Sequence, residues 1–358
     1  MTTPATEMSA SAPAATDVPA AGLAAVRRPR RMRVLSLLAL LAALVVLAVV
    51  SVAIGSRDVG WDDIGAALGG SAEGFDRAAI TRRIPRTLLA VLAGAALAVS
   101  GCVMQGVTRN PLADPGILGV TMGASLAVVI GIAWFSLTTV TGFIWTGIVG
   151  AGVTATMVYI LGSAGRGGAT PLKLALAGVA TSAAFASFIT AVVLPRNDIA
   201  ASVRSWQIGG VGGGTFFSIS QVLPFLVVGA VICLLAARTL NTLALGDDLA
   251  SGLGTRVALT RGIASFGAVV LCGAVTAVAG PIGFVGLVVP HLVRLLVGPD
   301  HRWLLPLSAV AGSCLLVGAD VLGRVVARPT EIDVGIITAV VGAPFFIAVV
   351  RRQKARGL

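Results

Sequence analysis

The chain has 358 residues, 56% of them hydrophobic and only 11% charged, with a mean hydropathy of +0.97 and a formal net charge of +11. A soluble domain carries roughly 25% charged residues, so this composition excludes a water-covered surface and makes lipid the solvent. The basic residues lie between apolar runs and not along one face, which excludes nucleic acid as the partner and leaves membrane topology and headgroup anchoring.

In chain order, residues 1–33 read as a disordered cytoplasmic tail, rich in Ala, Pro, Ser and Thr and closing on Arg27, Arg28, Arg30, Arg31 and Arg33. Residues 34–54 share the basic flank of a signal peptide. Their run of about 20 apolar residues is long enough to cross a ~30 Å hydrocarbon core, which predicts a first span. Nine further apolar segments follow, near 87–107, 117–135, 140–162, 172–194, 217–237, 260–279, 281–297, 303–323 and 334–350. The expected architecture is all-α and integral to the membrane: about ten transmembrane helices over 34–350, then a short cytoplasmic tail, 351–358. The chain has 45 glycines, and small-residue stretches such as 94–98 predict close helix packing in a bundle.

Between the segments, turn chemistry is readable. Asp114-Pro115 and Thr170-Pro171 have the form of an N-cap followed by proline at the first helical position, and Thr330 with Asp333 has the form of a capping box. Residues 94–101 and 273–280 agree at five of eight positions, and the same offset of 179 superposes Pro111 on Pro290 and Gly119 on Gly298. Five spans separate the two copies, so this weak repeat is inverted, as in many transporters. Basic clusters at both ends place both termini in the cytoplasm. Several arginines then fall on the outer side against that bias, among them Arg83, Arg86, Arg196 and Arg324.

Residues 239–256 form a polar island between the sixth and seventh spans. Leu243, Leu245, Leu249 and Leu253 recur near helical spacing beside Asp247 and Asp248, and Gly246 and Gly254 permit tight turns. That pattern predicts a short cytoplasmic amphipathic helix suited to docking in a groove. Pro195 and the glycines of 209–214, Gly209 and Gly210 among them, interrupt the chain after the fifth span, where an outer gate is expected. The four cysteines are isolated within apolar runs and the two histidines, His291 and His301, stand apart, so no metal or cofactor site is expected. His291 reads as a packing residue.

Several of these segments together resemble the FecCD family of permeases for iron(III)-siderophores, haem and cobalamin, the type II ABC importers. The resemblance runs from about Arg82 to Arg352. It is carried by Arg83-Ile84-Pro85-Arg86, Gly94-Ala95, Ser100-Gly101, Gln105, residues 109–115 with Leu118-Gly119, residues 206–210, residues 243–254, residues 283–294, Asp300-His301-Arg302 and residues 342–345. Asp333 departs from the family, which often has proline there. The resemblance implies a permease working with a cytoplasmic ATPase dimer, an extracytoplasmic solute-binding protein or lipoprotein, and a second permease copy or paralogue in the bacterial cytoplasmic membrane. It implies that 243–254 couples to the ATPase, that Arg83, Arg86 and Arg324 dock the binding protein, and that an inner gate lies at 166–172, with Thr170, Pro171 and Leu172. The chain has no GxxxxGK[ST] loop, so it is expected to be no enzyme and to leave ATP to another polypeptide. The alternatives are a haem or cobalamin cargo, or an ion-coupled secondary transporter. The latter class needs ionisable groups deep in the membrane, and Asp320 is the nearest such acid. An intramembrane enzyme lacks any paired-carboxylate, HExxH or Ser/His constellation.

Overall fold

A computed structural model describes residues 29–54, 75–164 and 170–354. These residues form thirteen helices and no strand. They are α1 (Arg30–Ala53), α2 (Phe75–Thr108), α3 (Val120–Phe135), α4 (Val140–Ser163), α5 (Pro171–Val193), α6 (Asn197–Ile208), α7 (Phe216–Leu235), α8 (Ala237–Leu243), α9 (Asp247–Gly252), α10 (Val257–Ala279), α11 (Val285–Val297), α12 (His301–Val326) and α13 (Val334–Lys354). Seven of them are long and apolar enough to cross a membrane, and three shorter apolar helices, Val120–Phe135, Val285–Val297 and Val334–Val349, accompany them. Each of the ten expected segments thus falls on one helix. Most of the expected tail 1–33 lies outside the described residues, as do 355–358.

The core is built on α2 and α10, which bury most of their length, whereas α1 lies on the rim with few fully buried residues and packs Leu37, Leu40 and Leu47 against the core. Close approach is set by glycine. A Cβ on Gly94 would collide with the backbone of Gly312 in α12, and one on Gly101 with the backbone of Gly286 in α11. Gly273 in α10 meets the backbone of α4 at Gly147 and Ile148 in the same manner. So the first helix of each repeat packs on the third helix of the other, α2 on α12 and α10 on α4, through the glycines that the 179-residue offset aligns. Across the centre, Ser100 Oγ donates to the Ala268 carbonyl at 2.7 Å. Such interhelical bonds contribute about 0.6 kcal/mol on average in a membrane.

Local starts follow the expected chemistry in part. Thr170 caps α5, its hydroxyl accepting from the Lys173 amide at 3.3 Å with Pro171 in the first turn. Thr215 and Ser218 form a capping box on α7. Asp114 is a correction. Its carboxylate accepts from the Gly116 amide at 2.8 Å and stabilises a turn, and α3 opens only at Val120, after Gly119 in the left-handed region. Thr330 is another: its hydroxyl donates back to the Ala327 carbonyl at 2.7 Å instead of capping α13. The segment after the fifth span, where an outer gate is expected, contains α6, a short helix whose buried side is Ala200 and Val203.

Candidate functional site

Two clusters of polar side chains and one cavity stand out, at opposite ends of the bundle and against its flank. At the Ala53 end of α1, ionic groups are drawn inward. Asp320, 1% exposed, accepts from Arg86 Nε at 3.0 Å and Nη2 at 2.8 Å, and pairs with Arg324 at 2.9 Å. Arg86 reaches on to Glu331, which is more open to solvent. Arg324 donates to the Ser51 carbonyl at 2.8 Å, the Ile54 carbonyl at 3.0 Å and Ser51 Oγ at 2.6 Å. Arg83 donates to the Val52 and Ala53 carbonyls at 3.1 and 3.0 Å. These carbonyls belong to the last turn of α1, which has no later residue of its own helix to bond. The structure therefore brings Arg83, Arg86 and Arg324 together, but as the staple that fixes α1 and α12. Arg83 and Arg324, expected on the docking face, are buried, and Arg86 is the most open of the three. The glycines expected at the outer gate sit nearby. Gly209, at φ +79°, accepts from the Gly335 amide at 2.9 Å, and the Gly210 amide donates to Ala279 at 2.8 Å. Both bonds tie the segment after α6 to the end of α10 and the start of α13. Pro195 is exposed between α5 and α6.

The Arg30 end carries the predicted polar island. It folds as two short helices, α8 and α9, separated by Gly246 at φ +110°. That left-handed turn breaks the leucine register. Leu243, expected with the other leucines on the docking face, closes α8 and is fully buried in the core. Leu245, Leu249 and Leu253, before, within and after α9, are 56%, 63% and 65% exposed. Asp248 is exposed in the first turn of α9, and Gly254, at φ +81°, ends the segment. Asp247 Oδ1 accepts from Arg109 Nη2 and from Arg261 Nη2 at 2.9 Å, joining α9 to the end of α2 and to α10. The sequence does not mark either arginine for this role: the spacing of a loop acid gives no sign of which arginine it meets.

Other family-like motifs become joints at the same end. Gln105 donates to the Gly286 carbonyl at 3.1 Å and accepts from Arg294 at 2.8 Å. Asn241 of α8 donates to Asp300 at 2.7 Å and accepts from the His301 amide at 2.9 Å. Burial pushes the Asp300 carboxyl up. The Asn241 and Arg302 hydrogen bonds, with the Arg302 and Arg33 charges, outweigh it and hold the group below the usual carboxylate range. His291 packs its ring edge-on against Phe345, centroids 5.7 Å apart, linking α11 to α13.

Between these ends lies a cavity of about 220 Å³. The turn residues Asp114, Gly116 and Ile117 form one wall, α5 contributes Val179 and Ser182, and Phe284 stands at the start of α11. Burial pushes the Asp114 carboxyl up to about 6. Thr170 and Leu172 are exposed at the α5 start, and residues 166–169 of the expected inner gate lie outside the described residues. Among the described residues, no three His, Cys, Asp or Glu side chains converge as a metal ion needs.

Comparison with known proteins fits this arrangement. The sequence model of the FecCD transport family matches residues 43–352. The chain is 45% identical over 276 residues to the iron(3+)-hydroxamate import system permease protein FhuB of Bacillus subtilis, covering 77% of this chain and 71% of that one. It is 42% identical over 309 residues to the ferric enterobactin transport system permease protein FepD of Escherichia coli, covering 86% and 92%. A solved structure described as an inward-facing conformation of a metal-chelate type ABC transporter superposes with a TM-score of 0.75 at 29% identity, over 89% of this chain and 99% of that chain.

Proposed function

The chain belongs to the FecCD transport family, and from that premise we propose that it is the membrane-spanning permease subunit of an ATP-driven importer that carries iron(III)-siderophore complexes inward across a bacterial cytoplasmic membrane. The observation that carries the reading is the extent of the likeness: 42% identity to a ferric enterobactin permease over 92% of its length. Ten apolar helices then cross the bilayer, with both termini and α8–α9 in the cytoplasm. The buried pairing of Asp320 supports ATP over an ion gradient as the energy source. Its charge is held between two arginines and serves architecture.

The reading implies a separate ATPase dimer, since this chain lacks a phosphate-cradling loop. It implies a solute-binding protein at the Ala53 end and a second permease copy or paralogue. Leu245, Leu249 and Leu253, just before, within and just after α9, are the surface we assign to the ATPase; exposed apolar side chains on a short helix and its flanks suit a groove in a partner. The cavity beside α5 and α11 is the part of the path we assign to the solute. Deleting the gene and supplying radiolabelled iron as a hydroxamate siderophore, iron as haem, or cobalamin, each alone, tests the cargo. Loss of siderophore uptake alone, restored by the gene in trans, is the expected result. Intact siderophore uptake with loss of haem or cobalamin uptake would replace the cargo and keep the permease.

A further inference from the structure

We infer that Asp247 is a positioning residue that passes movement of α9 to the wall of the solute cavity. The inference deepens the reading of α9 as the ATPase contact and rests on it. Three observations carry it. First, one carboxylate oxygen, Asp247 Oδ1, is shared by Arg109 and Arg261, which lie 138 and 14 residues away in the chain. A single oxygen held by two guanidinium groups, one from the turn after α2 and one from α10, fixes α9 in direction as well as distance. Second, the backbone is bent on both sides of the joint. Gly246, at φ +110°, sets the start of α9, and Arg109 is itself left-handed at φ +51°. A non-glycine residue in that region is uncommon and costs free energy that its surroundings must supply. Third, Arg109 opens the 109–119 turn, and that turn is stiff. Asn110 accepts from the Leu112 amide at 3.0 Å and the buried Asp114 from the Gly116 amide at 2.8 Å. Its residues Asp114, Gly116 and Ile117 form a wall of the cavity.

A push on the exposed leucines of α9 is thus delivered through Asp247 to Arg109, and through five residues of hydrogen-bonded turn to the cavity. Arg261 carries the same push to α10 at the centre of the bundle. An exposed ion pair adds little to stability, so the contribution of Asp247 is to be read in coupling and not in folding.

The test uses the complete complex of permease, ATPase and binding protein in proteoliposomes, with an iron(III)-hydroxamate siderophore as the probe. D247N, D247E, R109Q and the double variant D247N/R109Q are compared for ATPase retention, ATP hydrolysis and solute carried per ATP. D247N is expected to keep the ATPase and its hydrolysis while solute per ATP falls about tenfold, and the double variant is expected to be no worse than D247N, as for two residues acting through one contact. D247E is expected to restore most of the loss. Parental transport per ATP in D247N overturns the inference, as does a double variant whose losses multiply. Release of the ATPase by D247N also overturns it, because Asp247 is then a docking contact. If D247N is not recovered folded, R109Q gives the same readouts. Failure of the underlying reading is seen separately, as ATPase retained by a permease whose α9 leucines have been made acidic.

Discussion

Arg86 and Asp320 lie 234 residues apart in the chain and are joined by a two-pronged contact, 3.0 Å from Nε and 2.8 Å from Nη2 to one carboxylate oxygen. The pair closes α2 onto α12, and Arg324 on the other side of the carboxylate extends the closure to the last turn of α1. Removing the acid leaves the buried Arg324 guanidinium without its paired carboxylate and Arg86 with Glu331 alone. Breaking a buried pair in this way costs about 3–5 kcal/mol. Asp320→Ala is therefore expected to lower the unfolding temperature in detergent markedly, whereas Asp198→Ala, which breaks the exposed pair with Arg196, is expected to leave it within error. Equal unfolding temperatures for Asp320→Ala and the parent would show that the cluster does not hold the helices.

The contact of Gly101 with Gly286 gives a steric prediction. An added Cβ meets backbone, which has no rotamer to yield. Gly101→Ala is expected to destabilise by about 1–3 kcal/mol through forced separation of α2 and α11. Gly318→Ala, where a Cβ meets open space, is the control and is expected to be neutral. Comparable folded yields and unfolding curves for both variants would contradict the packing.

How much of this was legible before the structure follows from what each signal depends on. The ten apolar segments were legible because an unbroken run of lipid-compatible residues needs no knowledge of its neighbours. The helix α6 was not, since Asn197, Asp198, Arg204 and Gln207 make it too polar to stand out between spans. The arginines near the end of α1 stood out in the sequence, but their direction did not. An arginine near a span end faces headgroup, partner or core with the same local sequence, and only the open carbonyls of Ser51, Val52 and Ala53 decide it. The leucine stripe was legible as a period, and Leu243 was lost from it because one left-handed glycine shifts the register between α8 and α9.

The α9 stripe makes its own prediction. Replacing Leu245 and Leu249 with Asp places charge on a surface that is exposed in the permease and buried in the proposed complex. Folding and insertion are expected to survive, because neither side chain supports the core. Co-purification of the ATPase and solute uptake are both expected to fall at least about tenfold, as for loss of central apolar anchors. Undiminished co-purification with full uptake would remove this segment from the interface.

Asp114 predicts a pH dependence. Its carboxyl is raised from 3.8 to about 6 by burial. The folded protein therefore holds a proton that the unfolded chain releases. Stability from this group is full below the unfolded value and is lost as pH rises through the folded value, so unfolding becomes easier between about pH 4 and pH 6. Asp114→Asn is expected to flatten that slope. Parallel pH profiles for the two proteins, measured by thermal unfolding in detergent, would show that Asp114 is ionised in the folded state.

The central claim is that this chain moves solute only when an ATPase drives it. The most direct measurement is uptake of an iron(III)-hydroxamate siderophore into proteoliposomes that hold the chain with its ATPase and are supplied with its binding protein. The account predicts uptake that requires ATP on the ATPase side, is unchanged by a protonophore, and is absent when the chain is reconstituted alone. Uptake by the chain alone, driven by a proton gradient without ATP, would contradict it.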